Sequence, residues 1–248
     1  MQGYRQPMFN NIPPVVKNLL IINVLMLLGA MALDSMFNTN LNFKLGLYYP
    51  LSSEFEPYQI VTHMFMHGDL MHLFFNMFAL YMFGRVLESV WGPKRFFIYY
   101  FVTGLGAAAL HMFVHYLEVQ SIMSDLTNQQ VNLILNEGAN ILRTGRNYVD
   151  PQLGQLNLLL NTPTVGASGA VFGVLLAFGM LFPNTQLMLL FPPIPIKAKW
   201  LVIGYGALEL WLGLTNSASN IAHFAHLGGM LFGFILIKYW NSKGKKFY

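Results

Sequence analysis

Apolar residues gather in six stretches along the chain, at 18–33, 70–86, 96–117, 165–182, 200–214 and 221–240. Breakers separate most of them: "YYPLSSEFEP" follows the first, "WGPKR" the second, "FPPIPIKAK" the fourth and "TNSASN" the fifth. A helix needs about 20 apolar residues to cross the hydrocarbon core, and several stretches are shorter than that. Short apolar runs that hold glycine and polar residues fit helices surrounded by other helices. The segment 119–163 is different. It is polar, yet "VNLILNEGANILRT" keeps helical spacing, which predicts an extramembrane insertion with one or two short helices. The pattern predicts an all-α membrane protein: one six-helix domain over 15–240, a leading segment 1–14 and a basic tail 241–248. No internal repeat is evident.

An even number of spans puts both termini on one side, and the distribution of positive charge says which. With the termini cytoplasmic, the inner side holds Arg5, Lys17, Arg85, Lys94, Arg95, Lys197, Lys199, Lys238, Lys243, Lys245 and Lys246. The outer side holds only Lys44, Arg143 and Arg146. Spans two, four and six then all enter from the outer face. That places His72, Asn76, Ser168 and His226 at similar depth on one side, although they lie far apart in sequence.

Composition sharpens this picture. The 248 residues are 55% hydrophobic and only 10% charged, against about 25% charged in a typical soluble domain. The net charge of +4 is small and follows the loops, so it gives no nucleic-acid footprint. The absence of cysteine excludes disulfides, thiol catalysis and thiolate metal sites. The opening "MQGYRQPMFNNIPP" lacks the apolar centre of a signal peptide.

Ser168 sits among small residues in "TVGASGAVFG". Gly169 and Gly173 form a small-xxx-small pair, which by itself suits close helix packing. The soluble G-x-S-x-G elbow does not apply, because the residue two after the serine is Ala170. The sixth stretch adds "AHLGGMLFG", where His226 precedes a second small-xxx-small pair, Gly229 and Gly233. Close backbones would bring Ser168 within reach of the His226 ring, and a serine needs such a base to become nucleophilic. Glu209 lies within the fifth stretch and Asp69 precedes His72, so neither is expected to orient the imidazole, and a Ser–His dyad is expected rather than a triad. Acyl transfer also needs donors for a developing oxyanion. "HLFFN" sets His72 and Asn76 at i and i+4 on one helix face, and the Ser168 backbone N–H is a third candidate.

Together, "GASGAVFG", "AHLGGMLFG" and "HLFFN" resemble the G-x-S-G, A-H-x-x-G-x-x-x-G and H-x-x-x-N motifs of the rhomboid family of intramembrane serine proteases. The resemblance implies six helices around a water-filled cavity open to the outside, and cleavage of single-pass membrane proteins near the outer boundary. It implies Ser168 as nucleophile, His226 as base, His72 and Asn76 as oxyanion donors, and Phe172 as the ring packed on the imidazole. Many relatives carry tyrosine at the last position, and many carry Trp-Arg where this chain has Tyr58-Gln59. A substrate doorway is expected between spans two and five, closed by Phe75 and Trp211. Expected partners are transmembrane substrates and the lipid bilayer, with no nucleic acid and no cofactor; the oligomeric state is open. The expected location is a bacterial inner membrane with the active site facing outward.

Three other readings compete. His63, His67, His72, His223 and His226 suggest a metal, but Met64 after His63 breaks the H-E-x-x-H signature, and no metal is expected. A rhomboid-like pseudoprotease would lack the serine or the histidine, and both are present. A transporter favours internal repeats.

Overall fold

The computed structural model describes residues 12–188, 193–215 and 223–244. Residues 216–220 of the breaker after the fifth stretch, with Arg5, Lys245 and Lys246, lie outside the described residues. Each of the six apolar stretches holds a helix, although the fourth becomes helical only at Ser168. Helix α1 spans Pro14–Phe37. Its leading proline fits the first turn, where an N–H has no helical partner. Glu88 caps it from another helix: its carboxylate accepts from Val15 N at 2.9 Å and Val16 N at 2.8 Å. A buried carboxylate is tolerated there because two orphan donors and the positive helix end meet it.

Two short helices, α2 (Leu41–Leu45) and α3 (Gln59–Thr62), lie in the following loop. Helices α4 (Leu70–Ala79) and α5 (Arg85–Trp91) join through a π-helical turn, Leu80–Gly84, into one rod. Helix α6 (Pro93–Met123) runs on beyond the apolar stretch that predicts it, past residue 117. The α4–α5 rod, α1 and α6 are each long and apolar enough to cross a membrane. Helix α9 (Ser168–Leu181) is shorter and lies in the middle of the bundle. Helices α10 (Ala198–Thr215) and α11 (His223–Ser242) complete it. Between α9 and α10 lie two short antiparallel strands that the sequence pattern did not predict, β1 (Gln186–Met188), before the breaker, and β2 (Pro195–Lys197), within it. The whole is a helical membrane bundle.

Helix α9 is held by small residues on both sides. A side chain on Gly229 of α11 would run into the Gly169 backbone, and one on Gly173 would run into Thr103 of α6. The Tyr99 hydroxyl donates to the Gly173 carbonyl at 2.8 Å. Such close approach is how small-xxx-small faces generate packing where lipid supplies no hydrophobic drive.

Within 119–163, α6 ends and two helices follow, α7 (Asn128–Arg143) and α8 (Pro151–Asn161). They make a separate small core from Val119, Ile134, Leu156 and Leu160 with Tyr49. A buried polar ladder ties them to the first loop. Asn157 Nδ2 donates to the Gly138 carbonyl at 3.2 Å, Asn161 Nδ2 to Asn157 Oδ1 at 2.9 Å, and Ser52 Oγ to Asn161 Oδ1 at 2.7 Å. Arg143 pairs with Glu54 of the same loop.

Candidate active site

The loop leading into α9 is pinned before the helix begins. Thr164 pairs backbone to backbone with Leu47, and Gly166 N donates to the His63 carbonyl at 2.9 Å. His111 Nε2 lies 3.0 Å from the Thr164 hydroxyl. Gly166 has φ +130°, which an L side chain rarely adopts. Space matters there too: a Cβ on Gly166 would stand 2.9 Å from His72 Nε2 and 3.6 Å from Ser168 Oγ. The absent side chain therefore leaves one small space shared by His72 and Ser168.

Ser168 is the first residue of α9, so its N–H is among those without a helical acceptor. Its Oγ lies 2.8 Å from His226 Nε2. The Gly169–Gly229 contact, next to Ser168 and one turn beyond His226, sets this distance by bringing α9 and α11 together. Phe172 lies flat on the imidazole, with centroids 4.2 Å apart and planes at 4°. Its own edge is held by Tyr205 of α10 at 6.1 Å and 87°.

Glu209 corrects the expectation that no carboxylate reaches the imidazole. Its Oε2 lies 3.0 Å from His226 Nδ1 and 2.6 Å from His223 Nδ1. The His226 contact is close but is not a formed hydrogen bond; it becomes an ion pair only when the ring is protonated. The two histidines are three residues apart on α11 and present their rings to α10. With the carboxylate beside Nδ1, the network assigns the imidazole proton to Nδ1 and leaves Nε2 free to face the serine. Glu209 and both histidines are at least partly buried, so this acid is matched by nearby imidazoles and not by bulk water.

His72 and Asn76 share a face of α4. Asp69 caps that helix, accepting from His72 N at 2.7 Å. Asn76 is buried, and its Nδ2 donates to the His72 carbonyl of its own helix at 3.0 Å. His72 thus borders the serine through the Gly166 space, while Asn76 lies one turn further in. Phe75 and Trp211 are both more than half exposed, at 52% and 61%. Phe75 packs edge-on against Phe74 at 5.4 Å. The two rings stand open to the surroundings.

Tyr58 is half-exposed, whereas Gln59 is buried and occupied on all sides. Its Nε2 donates to the carbonyls of Glu54 at 2.9 Å and Lys44 at 3.3 Å. Its Oε1 accepts from Glu56 N at 3.1 Å and Tyr48 N at 3.4 Å. One neutral amide thus staples the first loop. His63 and His67 are buried in that loop. His67 sets its ring edge-on to His72 at 5.0 Å, and neither of its nitrogens has a partner. Burial, followed by the charge of His72, lowers its pKa to about 4.

The sequence carries the Rhomboid domain over residues 54–242. It is 27% identical over 186 residues to "Rhomboid protein 1, mitochondrial" of Saccharomyces cerevisiae, covering 74% of this chain and 42% of that one. It is 30% identical over 189 residues to "RHOMBOID-like protein 12, mitochondrial" of Arabidopsis thaliana, covering 76% and 45%. It is 25% identical over 195 residues to "Rhomboid protease AarA" of Providencia stuartii, covering 76% and 57%. The chain spans less than half the length of the first two. Their mitochondrial names do not support the expected bacterial inner membrane, and what stands is membrane location. With the domain matched over most of its length and its helices forming a membrane bundle, the chain belongs to the rhomboid family.

Proposed function

We propose that this protein is an intramembrane serine endopeptidase that cuts transmembrane or membrane-adjacent segments of other membrane proteins. The observation that carries the reading is the 2.8 Å approach of Ser168 Oγ to His226 Nε2. These residues come from two different helices, and Ser168 opens the first turn of its own.

His226 Nε2 takes the Ser168 proton as Oγ attacks the scissile carbonyl. The resulting oxyanion is met by the Ser168 N–H at the positive end of α9, with His72 Nε2 next to it and Asn76 a turn deeper. Glu209 offsets the charge of the imidazolium that forms, and the flat Phe172 ring fixes its plane. The imidazolium then protonates the leaving amine, and water repeats the sequence on the acyl-enzyme. Catalysis by a carboxylate-assisted serine and histidine replaces the bare dyad expected from sequence. The 15–240 segment is read as the protease domain, with both termini on the more positive side and the site opening to the other. The substrate segment enters from lipid between α4 and α10, past Phe75 and Trp211.

Ser168→Ala and His226→Ala should each abolish cleavage of a reporter transmembrane segment in proteoliposomes, while each variant keeps its helical content. Cleavage that persists in both variants contradicts the proposal. A folded wild-type chain that retains such segments without cutting them supports a pseudoprotease instead.

A further inference from the structure

Glu209, His223 and His226 each offer one ligand atom, all within 4.8 Å of one another, and Glu209 Oε2 faces Nδ1 of both histidines. Two imidazole nitrogens and one carboxylate oxygen are a ligand set that zinc takes with one position left open. Tetrahedral bonds of about 2.0–2.2 Å put ligand atoms about 3.3–3.5 Å apart. Glu209 Oε2 stands 2.6 Å from the His223 nitrogen and 3.0 Å from the His226 nitrogen, so the acid must draw back by about 0.3–0.9 Å to seat an ion at those bond lengths. The histidines are three residues apart on α11, and α10 supplies the acid. The ligands therefore sit on two rigid helices. None of the three is fully sealed: side-chain exposure is 5% for His223, 10% for Glu209 and 12% for His226.

We propose that these three side chains bind a zinc-like divalent transition ion, and that the bound ion switches the site off. Its effect on turnover rests on the protease reading above, but binding does not. When zinc bonds to Nδ1 of neutral His226, the ring keeps one proton, and that proton must sit on Nε2. Each imidazole exchanges a proton between its own nitrogens through water, and nothing is oxidised or reduced. Nε2 then carries a hydrogen toward Ser168 Oγ and has no lone pair to accept the serine proton. The geometry that makes His226 a base is thereby reversed at its far nitrogen. Because the ligands must be neutral imidazole and ionised carboxylate, acid weakens the binding.

The test uses the full, tag-free chain in detergent, with zinc chloride as the probe and magnesium chloride as the comparison. Bound zinc is counted after equilibrium dialysis for the wild type and for Ser168→Ala, which removes the nucleophile but no ligand. One zinc per chain is expected in both. Glu209→Gln and His223→Ala, each checked for helical content, should weaken zinc binding more than about tenfold, because loss of a ligand exceeds loss of an outer partner. In the wild type, fluorophosphonate labelling should fall in step with zinc occupancy and return on chelation, with magnesium having no effect. The proposal is overturned by a Ser168→Ala chain that binds no zinc, by unchanged zinc affinity in both ligand variants, or by full labelling of the zinc-loaded chain. A wild-type chain that fails to label without zinc counts against the protease reading alone, since the zinc count stands independently.

Discussion

Gly229 of α11 lies so close to Gly169 of α9 that a Cβ on Gly229 would overlap the Gly169 carbonyl. The contact sits next to Ser168 and one turn from His226, so it sets the spacing of these two side chains.

Gly229→Ala therefore forces α9 and α11 apart at the site. A misplacement of about 1 Å costs about 10²-fold in rate, so cleavage should fall by at least that much. Gly29→Ala is the comparison, because a Cβ there meets nothing within 4 Å. Cleavage rates of the two variants in the same lipid decide it. Equal rates mean that the helix contact does not position the site.

Gly166 joins a left-handed backbone to a site with no room for a side chain. Gly166→Ala should strain the loop and push His72 away from the serine. The loss of one oxyanion donor costs about 10²–10³-fold in turnover, and a fall in that range is expected with membrane insertion intact. Turnover within twofold of wild type means that His72 does not act from this position.

Glu209 meets His226 as a charge and not as an aligned hydrogen bond. Removing that charge should leave the imidazolium less stabilised by about 1.4–2.8 kcal/mol, which is about 10–100-fold in rate. Glu209→Gln keeps the shape and removes the charge, so kcat should fall by that factor with little change in KM. A fall as deep as that of His226→Ala means that the carboxylate holds the fold.

His67 titrates in the first loop. Its folded pKa of about 4 lies below the ordinary value of 6.5. Between those values the unfolded chain binds the proton more readily, so the buried ring opposes folding there. Its stability cost is absent above pH 6.5, grows as pH falls toward 4, and reaches about 3 kcal/mol at about 1.4 kcal/mol per unit. The apparent melting temperature should drop on acidification through this window, and His67→Phe should flatten the drop. Parallel pH curves for the two chains mean that His67 does not carry the effect.

Much of the site was legible because its chemistry sits in local patterns. The motifs around Ser168 and His226 point to both the pair that meets at 2.8 Å and the glycine-mediated helix approach that joins it. His72 and Asn76 follow from a four-residue spacing. Glu209 was not legible as a partner. It lies on another helix, and nothing in one sequence tells which face of α10 turns toward α11. The small hairpin before α10 was hidden by its prolines. The continuation of α6 to Met123 was hidden by the polar residues Glu118, Gln120 and Ser121, while Val119, Ile122 and Met123 between them pack into the small core with α7, α8 and Tyr49. Gln59 shows the same limit: its side chain staples four backbone groups, and only the folded loop reveals them.

The most direct measurement of the central claim is covalent labelling of the purified chain by a fluorophosphonate, read by mass spectrometry of the modified residue. An ordinary alcohol does not react, so labelling reports a serine activated by its surroundings, whatever the natural substrate is. The account predicts modification of Ser168 in the wild type and none in His226→Ala. Labelling of Ser168 that persists without His226, or a folded wild-type chain that takes up no label, would contradict it.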